Sequence, residues 1–327
     1  MISRRVVKPV ETINIPNEYE VQLSAPDISK YKKGNTGTDY IWTFDSGSPG
    51  PHACVTAIVH GNELCGAITL DWLLSDNFRP VAGKVSFGFM NTEAYHAFDA
   101  KDPNASRWID EDFNRLWAEN VLESERNSTE LRRARAVRPF IDTVDYLLDL
   151  HSMQHPAPPL MLSGNHEKAR TLATKVGVPT DIVADNGHAA GKRMRDYAAF
   201  DDPNSEKTAL LIECGQHWDA QTVPLSKLAT ARFLTSLGIA DASLLEGLGQ
   251  PSDQRFYRVT DAITIETNDF SFAQPFIGGE VLPEKGTLIG TDGDRPIFSP
   301  YDNCLLMMPT KRRWKGQTAV RLAQREK

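Results

Sequence analysis

The chain has 327 residues, 40% of them hydrophobic and 24% charged, with 22 glycines and 20 prolines. That is ordinary globular composition, and a chain of this length buries a sizeable core without disulfide or metal staples, so any metal is expected to serve function rather than structure. A net charge of −7 gives no electrostatic reason to bind nucleic acid or an anionic membrane. No stretch approaches the ~18 apolar residues of a membrane span, and Met1 to Pro9 is charged without the apolar run of a signal peptide, so the expectation is a cytoplasmic protein.

In chain order, residues 1–50 read as short strands leading into the core, closed by the turn cluster Ser46-Gly47-Ser48-Pro49-Gly50-Pro51. Ala53 to Val59 is an apolar run without alternation, the pattern of a strand covered on both faces. It ends at His60-Gly61-Asn62-Glu63, after which Leu64 to Leu74 has apolar residues at helical spacing. Lys84 to Met90 reads as a second strand, followed by a long polar loop from Asn91 to Trp117. Residues 128–142 read as an arginine-rich helix. Tyr146 to Leu150 is a third buried strand, ending at His151. Ala209 to Ile212 is a fourth, ending at Glu213, and Leu225 to Leu237 is a helix.

Beyond Gly249 the texture changes to short strands broken by Gly and Pro: Phe256–Thr267, Phe276–Leu282, Thr287–Gly290 and Cys304–Met308. The basic residues at the chain end read as a solvated helix. The four cysteines form no CxxC pair, and Cys54 and Cys214 read as buried thiols. The expected architecture is α/β, a mixed and largely parallel sheet with helices on both faces (residues 1–249), plus a smaller β-rich C-terminal domain (residues 250–327).

In such sheets ligands gather beyond the carboxyl ends of the strands. His60, His151 and Glu213 all fall at that edge. His60 and Glu63, three apart in a turn that opens a helix, can point at one ion, and His151 supplies a third ligand. Two histidines and a glutamate with one open position is a catalytic zinc set. Alone, an HxxE pair is a weak signal, and a lone histidine at a strand end is more often a hydrogen-bonding residue. Asp149, on the same strand face as His151, is placed either to orient that ligand or as a buried structural carboxylate. His155, His188 and His217 read as surface or supporting residues rather than ligands.

The wording of these segments resembles the succinylglutamate desuccinylase/aspartoacylase family of the metallocarboxypeptidase clan. Four blocks match in order across about residues 53–240. They are His60-Gly61-Asn62-Glu63-Leu64, Arg107 followed by Asp112-Phe113-Asn114-Arg115 (Phe113 in place of Leu), Asp149-Leu150-His151-Ser152, and Glu213-Cys214-Gly215-Gln216. The resemblance implies one zinc per chain on His60, Glu63 and His151. It further implies Glu213 as general base, Arg107 polarising the scissile carbonyl, and Asn114 with Arg115 holding a substrate carboxylate. Without it, Arg107 and Arg115 read as solvated arginines or as ion-pair partners of Asp110 or Asp112. Arg193, Arg195 and Tyr197 are candidate substrate contacts in a loop that the family uses for that purpose.

Aspartoacylases carry a substrate-contacting tyrosine near the chain end. Here that region reads Lys311-Arg312-Arg313-Trp314-Lys315 and no tyrosine follows Tyr301, which points away from N-acetylaspartate. The implied activity is hydrolysis of the amide of a small N-acyl amino acid, acetyl or succinyl. The alternatives are a carboxypeptidase on short peptides and a zinc- or ligand-binding protein without turnover. Self-association into a homo-oligomer stays open.

Overall fold

The computed structural model describes residues 19–187, 190–311 and 313–326; residues 1–18, His188 and Arg312 fall outside them. Fourteen strands are seen among the described residues: β1 (Ile41–Asp45), β2 (His52–Ala57), β3 (Lys84–Phe89), β4 (Tyr146–Met153), β5 (Leu160–Leu162), β6 (Asp181–Ala184), β7 (Thr208–Gln216), β8 (Arg255–Thr264), β9 (Phe270–Phe272), β10 (Val281–Leu282), β11 (Leu288–Asp292), β12 (Arg295–Phe298), β13 (Cys304–Met307) and β14 (Thr318–Arg325). The four longer helices are α1 (Leu64–Ser75), α2 (Thr129–Ile141), α3 (Glu167–Val176) and α4 (Thr222–Ser236).

Eleven strands form one sheet in the order β1-β3-β2-β4-β7-β5-β6-β8-β14-β13-β10. Its centre, β3-β2-β4-β7, is parallel. β1 joins antiparallel at one edge and β5 runs antiparallel to β7. The absence of polar alternation in β2 is explained by its two covers. Ala53, Val55 and Ala57 pack with Leu64 and Leu70 of α1 and Phe233 of α4. Cys54 faces the other way, toward Leu131, Ala134 and Val137 of α2. With both faces apolar, every position of the strand is free to be hydrophobic.

Residues 255–325 extend the same sheet with β8, β14, β13 and β10 and add a three-stranded antiparallel sheet, β12-β11-β9. The basic chain end is a strand rather than a helix: Ala319, Val320, Leu322 and Ala323 of β14 are buried between β8 and β13. Arg321 hides that pattern in the sequence, yet it too is buried, 3.5 Å from Asp185. All four cysteines are free and buried. Among the described residues no helix is long and apolar enough to cross a membrane.

Candidate metal centre and cleft

The chain leaves β2 through Ile58, a non-glycine residue at φ +54. This turn sets His60 and Glu63 at the carboxyl edge of the sheet. Gly61 is forced there: a Cβ would stand 2.4 Å from the Ala94 carbonyl carbon and 2.5 Å from the Ser106 oxygen. The Gly61 amide donates to the Arg107 carbonyl at 3.1 Å, which draws the Arg107 loop onto His60. Glu63 is the residue that caps α1, where the helix dipole favours a carboxylate.

His151 arrives from β4, and its side chain meets the same carboxylate. His60 Nδ1 lies 2.7 Å from Glu63 Oε1, and His151 Nδ1 lies 2.9 Å from Glu63 Oε2. The outward nitrogens face carboxylates: His60 Nε2 is 3.0 Å from Asp112, and His151 Nε2 is 2.8 Å from Asp149. Asp149 accepts a further bond from Thr56 at 2.7 Å. Asp149 thus orients His151 while remaining buried. One ligand atom from each of His60, Glu63 and His151 lies within 4.8 Å of the others, and all three residues are buried. Two imidazoles whose far nitrogens are fixed by carboxylates, around one shared carboxylate, fit a divalent ion, and the group could hold a metal. Burial pushes the Glu63 carboxyl up, but the two imidazoles outweigh it and hold it well below the ordinary range. Burial likewise works against a charged His151, and Asp149 and Glu63 overcome it, raising that imidazole well above its ordinary value.

Glu213 stands beside this cluster on β7. Its Oε2 is shut off from solvent and has no hydrogen-bond partner. Burial, with Glu63 adding to it and His151 and Arg107 opposing, pushes its carboxyl up to about 8. An unpartnered buried carboxylate oxygen is costly unless a ligand or ion completes it.

Arg107 lies 3.0 Å from His60 Nε2 and 3.5 Å from Glu63, with its Nε unpartnered. Its loop is held by a residue the sequence did not single out. Glu130, fully buried on α2, accepts the amides of Ile109, Asp110 and Glu111 at 2.6, 3.0 and 3.2 Å. Asp110 returns the contact by accepting the Thr129 amide at the start of α2 at 2.8 Å.

His60, Glu63, Arg107 and Glu213 all line one cleft of about 600 Å³. Asn114 and Arg115 stand behind Asp112 and are not among its lining residues. Asn114 Oδ1 accepts the Met194 amide at 2.8 Å, and Arg115 lies 3.8 Å from Asp112. Both arginines stand within ion-pair reach of Asp112, Arg107 at 4.0 Å and Arg115 at 3.8 Å. Arg193, Arg195 and Tyr197 do not reach the cleft. Arg193 pairs with Asp185 at 3.0 Å and Asp196 at 2.6 Å, Arg195 with Asp196 at 2.6 Å. Tyr197 donates to Asp142 at 2.8 Å. His155 does line the cleft, bonded to Tyr19 at 3.1 Å, and His217 bonds Ser152 at 2.8 Å. Tyr19, near the opposite end of the chain from Lys311 to Lys315, also lines the cleft; Tyr301 instead bonds Thr260.

The catalytic domain of the succinylglutamate desuccinylase/aspartoacylase family matches residues 49–235, more than half of the chain. The chain belongs to this family. A succinylglutamate desuccinylase of Vibrio campbellii is 25% identical over 284 residues, covering 80% of this chain and 77% of that protein. The structure of a succinylglutamate desuccinylase from Vibrio cholerae superposes with a TM-score of 0.68 at 18% identity, covering 88% of this chain and 86% of that one. A product-bound ectoine utilization protein from Ruegeria pomeroyi gives 0.60 at 17% identity, covering 84% and 86%. The family's fold, a largely parallel sheet with a smaller antiparallel β region, is the fold described above.

Proposed function

We propose that the protein is a zinc-dependent hydrolase of N-acyl amino acids, cleaving the amide that joins a small acyl group to the amino acid. The observation that carries this reading is Glu213, a half-buried carboxyl whose solvent-shielded Oε2 has no partner, beside three residues that could hold a metal ion. A binding protein has no need of such a group; a hydrolase needs it as a base.

His60, Glu63 and His151 would hold the zinc, which when bound acidifies a water and polarises the scissile carbonyl. Glu213 then takes the proton of the attacking water and passes it to the departing nitrogen. Arg107, with a free Nε at the cleft floor, donates to the oxygen on which charge develops. Asn114 and Arg115 are proposed to hold the amino acid's carboxylate, which requires Arg115 to turn from Asp112 toward it; a guanidinium matches a carboxylate with two parallel bonds.

Residues 250–327 are proposed as a β-rich domain that supplies the outer wall of the cleft. A walled cleft disfavours the carboxypeptidase alternative, which needs room for a peptide. The four reduced, buried thiols suit a cytoplasmic setting. The test is hydrolysis of N-acetyl and N-succinyl amino acids by the zinc-loaded protein, with short peptides as controls. Release of the free amino acid is the expected result; cleavage of peptides alone would replace this reading by the carboxypeptidase one.

A further inference from the structure

Only the floor of the cleft is used by the reaction above. Outward from Glu63, Arg107 and Glu213 the cleft carries an apolar patch, Phe272, Phe276 and Ile277 from the C-terminal region with Met153, Ala157 and Met308, beside polar residues that include Gln154, His155, Thr310 and Gln317. Phe272 and Phe276 meet edge to face with ring centres 6.0 Å apart. Ile277 is 63% exposed, so its side chain is open to a ligand in the cleft.

This wall is preformed. A Cβ at Gly278 would stand 2.7 Å from the Ala157 Cβ, so only glycine lets the two loops touch. The Ile277 amide donates to Glu280 at 3.2 Å, and the Gly279 amide donates to the Leu306 carbonyl at 2.8 Å. The loop is therefore fixed before any ligand enters, which removes an ordering cost from binding. Among the described lining residues the carboxylates are Glu63 and Glu213, both at the floor; the charges at the lip, Lys311 and Arg313, are positive.

We infer that the acyl group of the substrate is apolar, an aliphatic chain of several carbons or an aromatic ring, seated against Phe272, Phe276, Ile277 and Met308. This rests on the proposed deacylase reading. Under that reading the amino acid's carboxylate goes to Asn114 and Arg115, which stand outside the walled part, and the wall is left to the acyl side. An apolar group gains from each carbon it buries against these side chains; a succinyl carboxylate gains nothing from them and would have to be met by Lys311 or Arg313 instead.

The test uses the zinc-loaded full chain with N-acetyl-, N-succinyl-, N-hexanoyl- and N-benzoylglutamate and with N-acetylphenylalanine. The expected result is a kcat/KM at least tenfold higher for the hexanoyl or benzoyl compound than for the acetyl and succinyl ones. In Ile277→Asp, a substitution at an exposed site, that ratio falls at least fivefold. A succinyl compound cleaved as well as the hexanoyl one, or a best rate with N-acetylphenylalanine, would overturn the inference. Binding of hexanoate and succinate, measured by calorimetry, separates the two layers of the argument. Tighter hexanoate binding without turnover of any amide would leave the wall's preference standing and remove the deacylase reading. Equal binding would overturn the wall's preference itself.

Discussion

His151 and Glu213 stand directly opposite each other on the neighbouring parallel strands β4 and β7. The sheet's own register therefore places the imidazole proposed to hold the metal beside a carboxyl with one unpartnered oxygen, with no loop needed to bring them together. Sites built on strands are held more tightly than sites built on loops. The proposed base is positioned by the same hydrogen bonds that make the core.

From this follows the behaviour of Glu213→Gln. The amide keeps the shape of the side chain but cannot take a proton. Turnover is expected to fall by about 10²–10⁴, while stoichiometric metal remains on elemental analysis. Unchanged turnover would remove Glu213 from the mechanism.

Metal content should depend on His151. His151→Ala deletes one of three ligands and is expected to yield protein without stoichiometric zinc. Chelation of the wild-type chain is expected to abolish activity but leave the far-ultraviolet circular dichroism intact. The fold has a large core of its own, and without metal Glu63 stays ionised between the two imidazoles. Unfolding on chelation would show the metal to be structural.

Glu130 holds the Arg107 loop from outside the cleft. Glu130→Ala leaves three half-buried backbone amides and the buried Asn91 side-chain amide without their acceptor and is expected to cost roughly 2–4 kcal/mol of stability. It should also lower kcat/KM by about tenfold, because a small displacement of a positioned group is costly to rate. Glu130→Gln keeps one acceptor oxygen and should lie between the two in both thermal melting and kinetics. Wild-type kinetics in a destabilised Glu130→Ala would confine this residue to stability.

The parallel centre of the fold and the grouping of His60, Glu63 and His151 were legible because their signals are local. Buried strands show as unbroken apolar runs, and each of the four motif blocks falls at a strand end or in the loop beside one. β5 and β6 were not legible: at three and four residues they are too short for a period to show. Glu130 gives no signal either, since its partners are amides about twenty positions upstream and any carboxylate at that helix position looks the same. Tyr19 comes to the cleft from the far end of the chain. Arg193 and Arg195 misled in the opposite direction, because burial with Asp185 and Asp196 turns what look like ligand-binding arginines into internal ion pairs.

That ion-pair cluster makes a prediction about acid stability. Burial pushes the Asp196 carboxyl up, but Arg193 and Arg195 outweigh it, and the net position is below the ordinary value of 3.8. A carboxyl with a lowered folded-state value binds protons less readily than in the unfolded chain, so it stabilises the fold above that ordinary value. The contribution is lost as pH falls below 3.8 and through the folded-state value. Replacing Asp196 by Asn leaves Arg193 with Asp185 but takes from the buried Arg195 its carboxylate, at a cost on the order of 3 kcal/mol near neutrality. The stability gap between wild type and Asp196→Asn, followed by denaturant titration, is therefore expected to be widest from pH ~5 to 7 and to close in stronger acid. A gap that stays constant down to pH ~2.5 would mean that the carboxyl is not held ionised by its two arginines.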